Sequence, residues 1–578
     1  MEMTGAKYIV EALKREKVEV LFGYPGGYVI PIFNELYYEP SIKLVLPRHE
    51  QALIHAADGY ARSTGKVGVC LVTSGPGATN TITGLATANF DSVPLVCFTG
   101  QVPSHMIGND SFQEADTMGL TRPITKHNYI VYKREDLGRI IKEAFHIAST
   151  GRPGPVVVDL PVDVIRGTGQ DDYPDSVHMR GYNPVRVVHS GQVKKVAARL
   201  MTAKKPLFLV GGGVNISGAG EAFTALAEKT GVPVVSTLMG LGAISGDHPL
   251  FVGMLGMHGL YASNQAVTQC DVLFSIGTRF SDRITGKLSE FATHAEIIHV
   301  DIEPAAISRN IPVKIPIVGD AKAVIEQLLP LVDNVKAAGP WVSQINAWKK
   351  ENPPIVVPGN SRLSPMEVIR SIAEVYPDAI VSTDVGQHQM WTSMFYPFKK
   401  SRTLLTSGGL GTMGYGFPAA VGAQIGNPGR KVVCISGDGS FQMNLQELAT
   451  AVQEELPVIV AIFNNNYLGM VRQWQELFQE KRYSGTCLRH RRSCAARCNK
   501  PGRQCPPYVP DFVKLAESYG AVGLRVNRSQ DIVPALRRAG ESANCPVVIE
   551  FIIEQEANVM PMVPSGKALH QMLIEGGN

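Results

Sequence analysis

The feature of this sequence that most constrains its fold is a unit that occurs twice: an apolar strand, a Ser-Gly-x-Gly turn and the start of a helix. The two copies are KVGVCLVTSGPGATN (residues 66–80) and KVVCISGDGSFQMN (residues 431–444), and a second apolar strand follows each. Apolar strands that alternate with helices are typical of parallel sheets covered on both faces. Chance likeness is the alternative, but we predict two domains of one topology that differ at Pro76 and Asp438.

Chain length extends this prediction to a third domain. A chain of 578 residues is too long for one hydrophobic core, and the polar stretches at 168–188 and 351–365 are candidate linkers. The predicted class is α/β, with three doubly wound parallel-sheet domains of which the first and third share a topology. Their predicted bounds are residues 1–170, 189–350 and 361–578.

Composition bears on partners and location. A formal net charge of +4 is small for this length, so we expect no nucleic-acid partner. No apolar run approaches the roughly 18 residues of a membrane-spanning helix, so we expect no membrane partner either. Five of the nine cysteines lie in or beside apolar strands, as reduced thiols do in cytoplasmic enzymes. They are Cys70, Cys97, Cys270, Cys434 and Cys545.

Asp438 raises the question of what it binds, because it lies between two glycines where a buried strand turns into a helix. A carboxylate there is costly to desolvate unless a cation or hydrogen-bond donors meet it. The next apolar strand ends in three asparagines, residues 464–466, and parallel strands bring their carboxyl ends together. Backbone N–H groups of Gly439 and Ser440 can hold a phosphate. The pattern therefore predicts a divalent metal that carries a diphosphate.

These residues resemble the signature of the thiamine-diphosphate enzymes, which is GDG, about two dozen residues, then NN. Within that family the chain looks like the large catalytic subunit of acetohydroxyacid synthase (acetolactate synthase), and the likeness runs along almost its whole length. Matching segments include FGYPGG (22–27), RHEQ (48–51), SGPGATN (74–80), FQEAD (112–116), RFSDRITGK (279–287), DVGQHQMW (384–391), TSGGLGTMGYGFPAA (406–420) and LGMVRQWQ (468–475).

The resemblance implies a thiamine diphosphate site with Mg²⁺. Glu50 is implied as the carboxylate beside the pyrimidine, and its alternative is a surface charge that starts a helix. Gly27 and Gln113 are implied as further catalytic positions. The implied metal ligands are Asp438, Asn465 and the backbone carbonyl of Tyr467. The other implied cofactor contacts are Tyr24, Pro25, Pro76, Asn80, Val385, Gly386, Gln387, His388, Gly411, Met413, Gly437, Gly439, Ser440, Gly469 and Met470.

The implied reaction is carboligation in branched-chain amino acid (isoleucine and valine) biosynthesis. Pyruvate is decarboxylated, and its two-carbon unit is joined to pyruvate or to 2-oxobutanoate. Arg283 is implied to bind the acceptor carboxylate, with an ion pair to Asp282 as its alternative. Trp474 and Phe112 are implied as further substrate contacts. The family also implies a homodimer or homotetramer with active sites at the subunit interface, and leaves open a small regulatory subunit.

The middle domain looks like the family's FAD domain, with the flavin in a structural role. A strand followed by three glycines suits a dinucleotide, although the Gly-x-Gly-x-x-Gly pattern is absent. An acid at a strand end, such as Asp301, can bind ribose hydroxyls. The implied contacts are Arg152, Gly211, Gly212, Gly213, Thr237, Leu238, Gly256, Met257, His258, Gly277, Arg279, Asp301, Ile302 and Asp320.

The chain departs from the family's pattern in two places. Val162 follows Pro161 where the family usually has lysine, which can alter affinity for pyruvate. An insertion at residues 485–509 carries four cysteines with the spacing C-x6-C-x3-C-x6-C. They suggest a zinc or iron–sulfur site, but the spacing lacks the usual C-x2-C pairs and thiols in a basic loop are the alternative. The four are Cys487, Cys494, Cys498 and Cys505.

Three other functions compete with this interpretation. A flavin-dependent pyruvate oxidase shares the fold but needs an electron acceptor and gives no reason for RFSDRITGK. The FAD-free catabolic acetolactate synthase is disfavoured by the flavin-like middle domain. A non-catalytic regulatory homologue is disfavoured because Glu50, Asp438 and the asparagine trio are all present.

Overall fold

The structure is a computed structural model that describes residues 2–185, 187–354, 362–495, 498 and 505–574. Its strands form three six-stranded sheets and one two-stranded sheet. Every pair of neighbours in the three large sheets is parallel. The prediction of an α/β protein with three parallel-sheet domains is confirmed.

The N-terminal domain alternates strands with helices. Its strands are β1 (Glu2–Thr4), β2 (Val20–Gly23), β3 (Lys43–Val45), β4 (Gly68–Val72), β5 (Leu95–Gln101), β6 (His127–Ile130), β7 (Pro155–Pro161) and β8 (Thr168–Gln170). Its helices are α1 (Gly5–Arg15), α2 (Ile30–Tyr37), α3 (Glu50–Thr64), α4 (Pro76–Thr79), α5 (Ile82–Asp91), α6 (Thr117–Thr121), α7 (Leu137–Ser149) and α8 (Val162–Arg166). β1 pairs with β8 in an antiparallel sheet and ties the start of the domain to its end.

The middle domain repeats the alternation. Its strands are β9 (Pro206–Val210), β10 (Val234–Ser236), β11 (Phe251–Met254), β12 (Val272–Ile276), β13 (Glu296–Asp301) and β14 (Ile315–Val318). Its helices are α9 (Ser190–Met201), α10 (Gly212–Ile216), α11 (Gly220–Thr230), α12 (Tyr261–Gln269), α13 (Asp282–Thr285), α14 (Ala321–Leu328) and α15 (Ala338–Glu351). The buried strands β9 and β12 lie next to each other, and their apolar side chains face helices on both sides of the sheet.

The C-terminal domain completes the chain. Its strands are β15 (Ile380–Thr383), β16 (Leu404–Leu405), β17 (Val432–Gly437), β18 (Ile459–Asn464), β19 (Val522–Val526) and β20 (Val547–Ile552). Its helices are α16 (Pro365–Val375), α17 (Gln387–Phe395), α18 (Gly416–Gly426), α19 (Asp438–Phe441), α20 (Glu447–Gln453), α21 (Gly469–Phe478), α22 (Phe512–Ser518) and α23 (Ile532–Gly540). Across the described residues, no helix is long and apolar enough to cross a membrane.

Strand order distinguishes the middle sheet from the outer two. The N-terminal sheet runs β3-β2-β4-β5-β7-β6 and the C-terminal sheet runs β16-β15-β17-β18-β20-β19. Counted from the first strand of each sheet, the two orders are identical, so the predicted shared topology is confirmed. The middle sheet runs β11-β10-β9-β12-β13-β14, which is the order of dinucleotide-binding Rossmann folds. In such sheets ligands bind outside the carboxyl ends of the strands, where the order reverses.

The N- and C-terminal domains meet along α3 and α18. A Cβ on Gly59 of α3 would overlap the carbonyl oxygen of Ala419, and a Cβ on Gly422 of α18 would overlap that of Ala56. Because side chains do not fit there, the two helices pack backbone to backbone. The catalytic candidate Glu50, at the start of α3, is thereby fixed relative to the C-terminal domain of its own chain.

Candidate active site

The C-terminal sheet ends in a small cavity of about 60 Å³ at the mouth of β17 and β18. Asp438 lies there as the first residue of α19, directly after β17, as the strand–turn–helix pattern predicts. The cavity contains all three predicted metal ligands and most of the predicted diphosphate contacts. Those of its lining residues that the sequence predicts are Val385, Gly386, Gln387, His388, Met413, Gly437, Asp438, Gly439, Ser440, Asn465, Tyr467, Gly469 and Met470.

Asp438 is buried, and its hydrogen bonds do not fully replace the water that it loses. It is 1% exposed, and among the described residues its Oδ2 atom has no hydrogen-bond partner. Burial raises the pKa of Asp438 to about 8. The hydroxyl of Tyr508 lies close by, and burial together with this carboxylate raises the pKa of Tyr508. A buried carboxylate with an unpartnered oxygen fits a cation ligand, because a bound cation would stabilise its charged form.

The three asparagines after β18 have different partners. Asn464 donates to Glu550 at 2.6 Å, so its amide forms a hydrogen bond between β18 and β20 within the sheet. Asn465 donates from Nδ2 to Gln387 Oε1 at 3.3 Å and accepts from the backbone N–H of Tyr467 at 3.0 Å. A Cβ on Gly469 would overlap Gln387 Oε1 and come within 2.6 Å of Asn465 Nδ2. Asn465 is therefore the member of the trio that lines the cavity, and glycine at 469 makes room for it.

Asp384 is a site residue that sequence reasoning missed. It is 1% exposed, and its carboxylate accepts from the backbone N–H groups of Val385 at 2.9 Å, Gly414 at 2.8 Å and Gly416 at 3.3 Å. Burial raises the pKa of Asp384 to about 6. Its hydrogen bonds join the segment that begins α17 to the segment after Met413, so Asp384 shapes both walls of the cavity. The only sequence signal was its place as the first residue of the DVGQHQMW motif.

Glu50 lies in a second cluster, formed entirely by the N-terminal domain. It is half-buried at the first position of α3, and its Oε2 atom accepts from Asn80 Nδ2 at 3.0 Å. A Cβ on Gly77 would lie 3.7 Å from Glu50 Oε1, so the turn after β4 faces this carboxylate. Pro76 opens α4 within the same turn. The alternative of a solvated surface charge is disfavoured by the Asn80 contact.

The remaining N-terminal candidates surround the same turn. Gln113 has a φ of +59°, and its backbone lies 2.8 Å from where a Cβ on Gly75 would be. Tyr24 donates its backbone N–H to Leu71, which places the Tyr24–Gly27 segment beside β4. Phe112 is 83% exposed. The structure therefore brings Pro76, Asn80 and Gln113 near Glu50 but leaves Phe112 with an open side chain.

A large cavity of about 770 Å³ lies at the carboxyl ends of the middle sheet and extends to the C-terminal domain. Twelve of the fourteen predicted flavin contacts line it. They are Arg152, Gly212, Gly213, Thr237, Leu238, Met257, His258, Gly277, Arg279, Asp301, Ile302 and Asp320. Of the other two, Gly211 packs its backbone against Gly277, and Gly256 packs against the backbone of Arg283.

The charges of this cavity fit a polar ligand of dinucleotide size. Burial and the neighbouring Arg279 lower the pKa of Arg152, while burial raises the pKa of Asp301 to about 6. His258 is buried with an unpartnered Nδ1 atom among the described residues, and burial lowers its pKa to about 4. A volume of this size suits a cofactor. The residues present therefore fit a flavin dinucleotide.

The two predicted substrate residues Arg283 and Trp474 line the same large cavity. Arg283 is an exposed side chain whose ion pair with Asp282, at 3.8 Å, is long. Trp474 is half-buried, and its ring lies 5.3 Å from that of Phe478, as expected for helical neighbours. Val385, Gly386, Met413, Met470 and Val471 line both this cavity and the small one, so the two cavities adjoin.

The two departures from the family's pattern have different structural contexts. Val162 is buried at the start of α8, directly after β7. In the insertion, the backbone of Cys487 pairs with that of Tyr467 in an isolated antiparallel β-bridge. The insertion therefore begins against the predicted metal-binding loop. Within the described part of the chain, His, Cys, Asp and Glu side chains form no group of three that could hold a metal. Part of the insertion lies outside the described residues.

Comparison with known protein families identifies the class. Residues 3–120 match the N-terminal TPP binding domain of thiamine pyrophosphate enzymes. Residues 193–328 match the central domain of these enzymes, and residues 384–551 match their C-terminal TPP binding domain. The fold and the site together therefore define a thiamine-diphosphate enzyme.

Curated relatives narrow this class. The chain is 45% identical over 593 residues to a probable acetolactate synthase large subunit of Methanococcus aeolicus, covering 99% of this chain and 95% of that protein. It is 47% identical over 572 residues to an acetolactate synthase of Mycobacterium bovis, covering 98% and 90%. It is 44% identical over 584 residues to the acetolactate synthase isozyme 3 large subunit of Escherichia coli, covering 99% of each. The chain belongs to the acetolactate synthase family.

Proposed function

We propose that this chain catalyses thiamine-diphosphate-dependent formation of 2-acetolactate from two pyruvates, or of 2-aceto-2-hydroxybutanoate from pyruvate and 2-oxobutanoate. The observation that carries the proposal is the buried, incompletely partnered Asp438 in a cavity with Asn465 and Tyr467. When bound, thiamine diphosphate would supply the carbon that attacks pyruvate and accepts the electrons released on loss of CO₂. The proposal places the reaction in the cytoplasm, where the buried thiols Cys70, Cys97, Cys270 and Cys434 would stay reduced.

The C-terminal domain would hold the charged end of the cofactor. Asp438, Asn465 and the carbonyl of Tyr467 would ligate Mg²⁺, and the N–H groups of Gly439 and Ser440 would bind phosphate oxygens. Oxygen ligands of this kind suit Mg²⁺, which usually keeps phosphate oxygens in its coordination shell. Asp384 would hold the backbone on either side of the cavity in place.

The N-terminal domain would hold and move a proton. Glu50, oriented by Asn80, would exchange a proton with the aminopyrimidine of the cofactor. All residues that line the small cavity lie between Val385 and Ile553, so Glu50 of the same chain does not line it. This supports an assembly of at least two chains, in which Glu50 of one chain completes the site of the other. A homodimer or homotetramer follows, and a small regulatory subunit belongs to the same proposal.

Arg283 and Trp474 would bind the acceptor. The guanidinium lines the large cavity with a long ion pair to Asp282, at 3.8 Å, and a contact to the Met257 sulfur at 3.1 Å, both weak enough to be replaced by the carboxylate of a 2-oxo acid. The indole of Trp474 lies on the same cavity wall and would contact the alkyl part of the acceptor. FAD, bound by the middle domain, would be structural because carboligation transfers no net electrons.

The decisive experiment measures 2-acetolactate from pyruvate with Mg²⁺ and thiamine diphosphate, with and without FAD, alongside oxygen uptake. The proposal expects product that depends on FAD without oxygen consumption. Full activity of flavin-free protein would instead indicate the catabolic enzyme, and oxygen consumption without acetolactate would indicate a pyruvate oxidase. Elemental analysis of anaerobically purified protein tests the cysteine insertion: absence of zinc and iron would exclude a metal site at Cys487, Cys494, Cys498 and Cys505.

A further inference from the structure

Glu447 is a buried carboxylate that the proposed reaction does not use. It opens α20 and is 1% exposed. Its Oε1 and Oε2 atoms accept from the backbone N–H of Arg48 at 2.9 and 3.1 Å, and Oε2 also accepts from the Thr450 hydroxyl at 2.6 Å. Arg48 belongs to the N-terminal domain, so this carboxylate crosses the boundary between two domains.

The segment that Glu447 holds leads directly to Glu50. Arg48 and His49 are the last residues before α3, and Glu50 is its first residue. One further contact from α20 reaches the same segment, but at a side chain: Gln453 Oε1 accepts from the Arg48 guanidinium at 2.6 Å. The Arg48 N–H, two residues before Glu50, is therefore held by the C-terminal domain, while His49 caps α3 within its own domain.

The other end of this connection reaches the predicted metal site. Gln442 donates to the backbone carbonyl of Asp438 at 2.9 Å, and Asn444 donates to that of Gly414 at 2.7 Å. Both lie in the short link between α19, which begins at Asp438, and α20, which begins at Glu447. One continuous segment, residues 438–447, thus touches the metal ligand, the loop after Met413 and the segment before Glu50.

We propose that Glu447 is a positioning residue for Glu50, and that it transmits occupation of the metal and diphosphate site to that carboxylate. This inference rests on the proposed function. In the assembly proposed above, Asp438 and Glu50 of one chain serve different active sites. Glu447 then links two active sites through a single chain.

The test measures amide hydrogen exchange by mass spectrometry in the peptide that covers residues 46–53, with and without Mg²⁺ and thiamine diphosphate. In the wild type we expect the cofactor to slow exchange in this peptide. In E447A we expect at least about tenfold faster exchange without cofactor, because the Arg48 N–H loses its acceptor, and no further slowing with cofactor. E447Q retains one acceptor oxygen and should lie between the two.

A second measurement separates positioning from simple stabilisation. Deuterium exchange at the reactive carbon of bound thiamine diphosphate reports on Glu50, and E447A should slow it about tenfold to a hundredfold. Adding E447A to an E50Q protein should cause no further slowing, because the two residues act as a unit. Q453A is the matched control: it removes a contact from the same helix to the same segment, but to a side chain, and should stay within about twofold of the wild type.

Two results would overturn the inference. One is wild-type exchange in residues 46–53 of E447A; the other is equal slowing by E447A in the wild-type and E50Q proteins. If E447A does not fold, E447Q carries the same comparisons at smaller amplitude. The deuterium measurement needs only bound cofactor, so it remains informative even if the wild type forms no acetolactate, which would contradict the proposed function alone.

Discussion

The N- and C-terminal domains have the same strand order, yet their corresponding turns differ in chemistry. After β4 the turn holds Gly75 at a φ of +56° and then Pro76, and it faces Glu50 and Gln113. After β17 the turn holds Gly437 at a φ of −84° and then Asp438, and it faces a small cavity. One topology therefore presents a proline turn to a carboxylate in one domain and a buried carboxylate to a cavity in the other.

The largest effect should come from the cation side of this comparison. We expect D438N to lower acetolactate formation by about three orders of magnitude or more, since a bound divalent ion contributes several kcal/mol to charge stabilisation. Mg²⁺-dependent retention of thiamine diphosphate should be lost in the same protein, as measured by titration. D511N, which alters a half-buried helix cap of the same domain that does not line the small cavity, is the control. Retention of Mg²⁺-dependent cofactor binding by D438N would contradict the metal assignment.

The next effect should come from the carboxylate side. We expect E50Q to lower acetolactate formation about a hundredfold or more, the range of a general acid–base group. Its affinity for Mg²⁺ and thiamine diphosphate should stay close to that of the wild type, because Glu50 does not line the small cavity. Steady-state rates and cofactor titration together check this. Equal loss of cofactor affinity in E50Q and D438N would mean that the two turns do not have separate roles in proton transfer and in cofactor binding.

The third effect concerns the contact between α3 and α18, and it should appear as a loss of stability rather than of activity. G59A places a methyl group against the carbonyl oxygen of Ala419, so we expect unfolding free energy to fall by about 2–3 kcal/mol. G339A is the control: it lies in α15 with open space at its Cβ position and should stabilise by about 0.5–1 kcal/mol. Denaturant unfolding measures both. A G59A protein as stable as the wild type would show that α3 and α18 are not packed backbone to backbone.

Substitutions at the two turn glycines, Gly75 and Gly437, test the same comparison with a smaller expected change in stability. We expect G75A to cost about 1–2 kcal/mol, because Gly75 has a positive φ and the backbone of Gln113 lies 2.8 Å from the added Cβ. G437A should cost less in unfolding free energy, since its φ is ordinary and its nearest neighbour, at 3.0 Å, is the side chain of His388. Thermal unfolding of the two variants, measured side by side, shows which of them is destabilised more. The reverse order would mean that the turns are not strained as described.

The smallest effect concerns pH. Asp159 of β7 is buried, accepts from Thr99 at 2.6 Å and Gln101 at 3.0 Å, and burial raises its pKa from 3.8 to about 7. The folded state therefore keeps a proton that the unfolded state releases, and the resulting stabilisation is complete below pH 3.8 and lost as pH rises through about 7. Between pH 5 and 8 the wild type should lose about 1–2 kcal/mol more than D159N. Parallel stability curves would exclude this contribution.

The meeting of Asp438 with the end of β18 was predictable from the sequence for a physical reason. Buried parallel strands end at one edge of a sheet, so Asp438 after one strand and the asparagines after the next had to meet there. The same argument did not choose among the three asparagines, because that choice depends on Glu550 and Gln387, which come from other elements.

Residues whose partners lie far away in the sequence were not predictable. Asp384, Glu447 and the buried Arg62 each act through contacts that no local pattern encodes. Arg62 lies 2.6 Å from Asp58 and 3.0 Å from Asp91, and Asp91 in turn accepts from the backbone N–H of Gly408. A charged residue on a helix face looks the same in sequence whether it meets water or a neighbouring domain.

The paired helices α3 and α18 have one more consequence. Each precedes the third strand of its sheet, and their close contacts are reciprocal: Gly59 meets Ala419, and Ala56 meets Gly422. Reciprocity of this kind is the property of an interface around a two-fold axis. A single chain therefore already contains an approximate dyad that relates two like domains. Two such chains would bring together four like domains, so that the assembly has more internal symmetry than its number of subunits suggests.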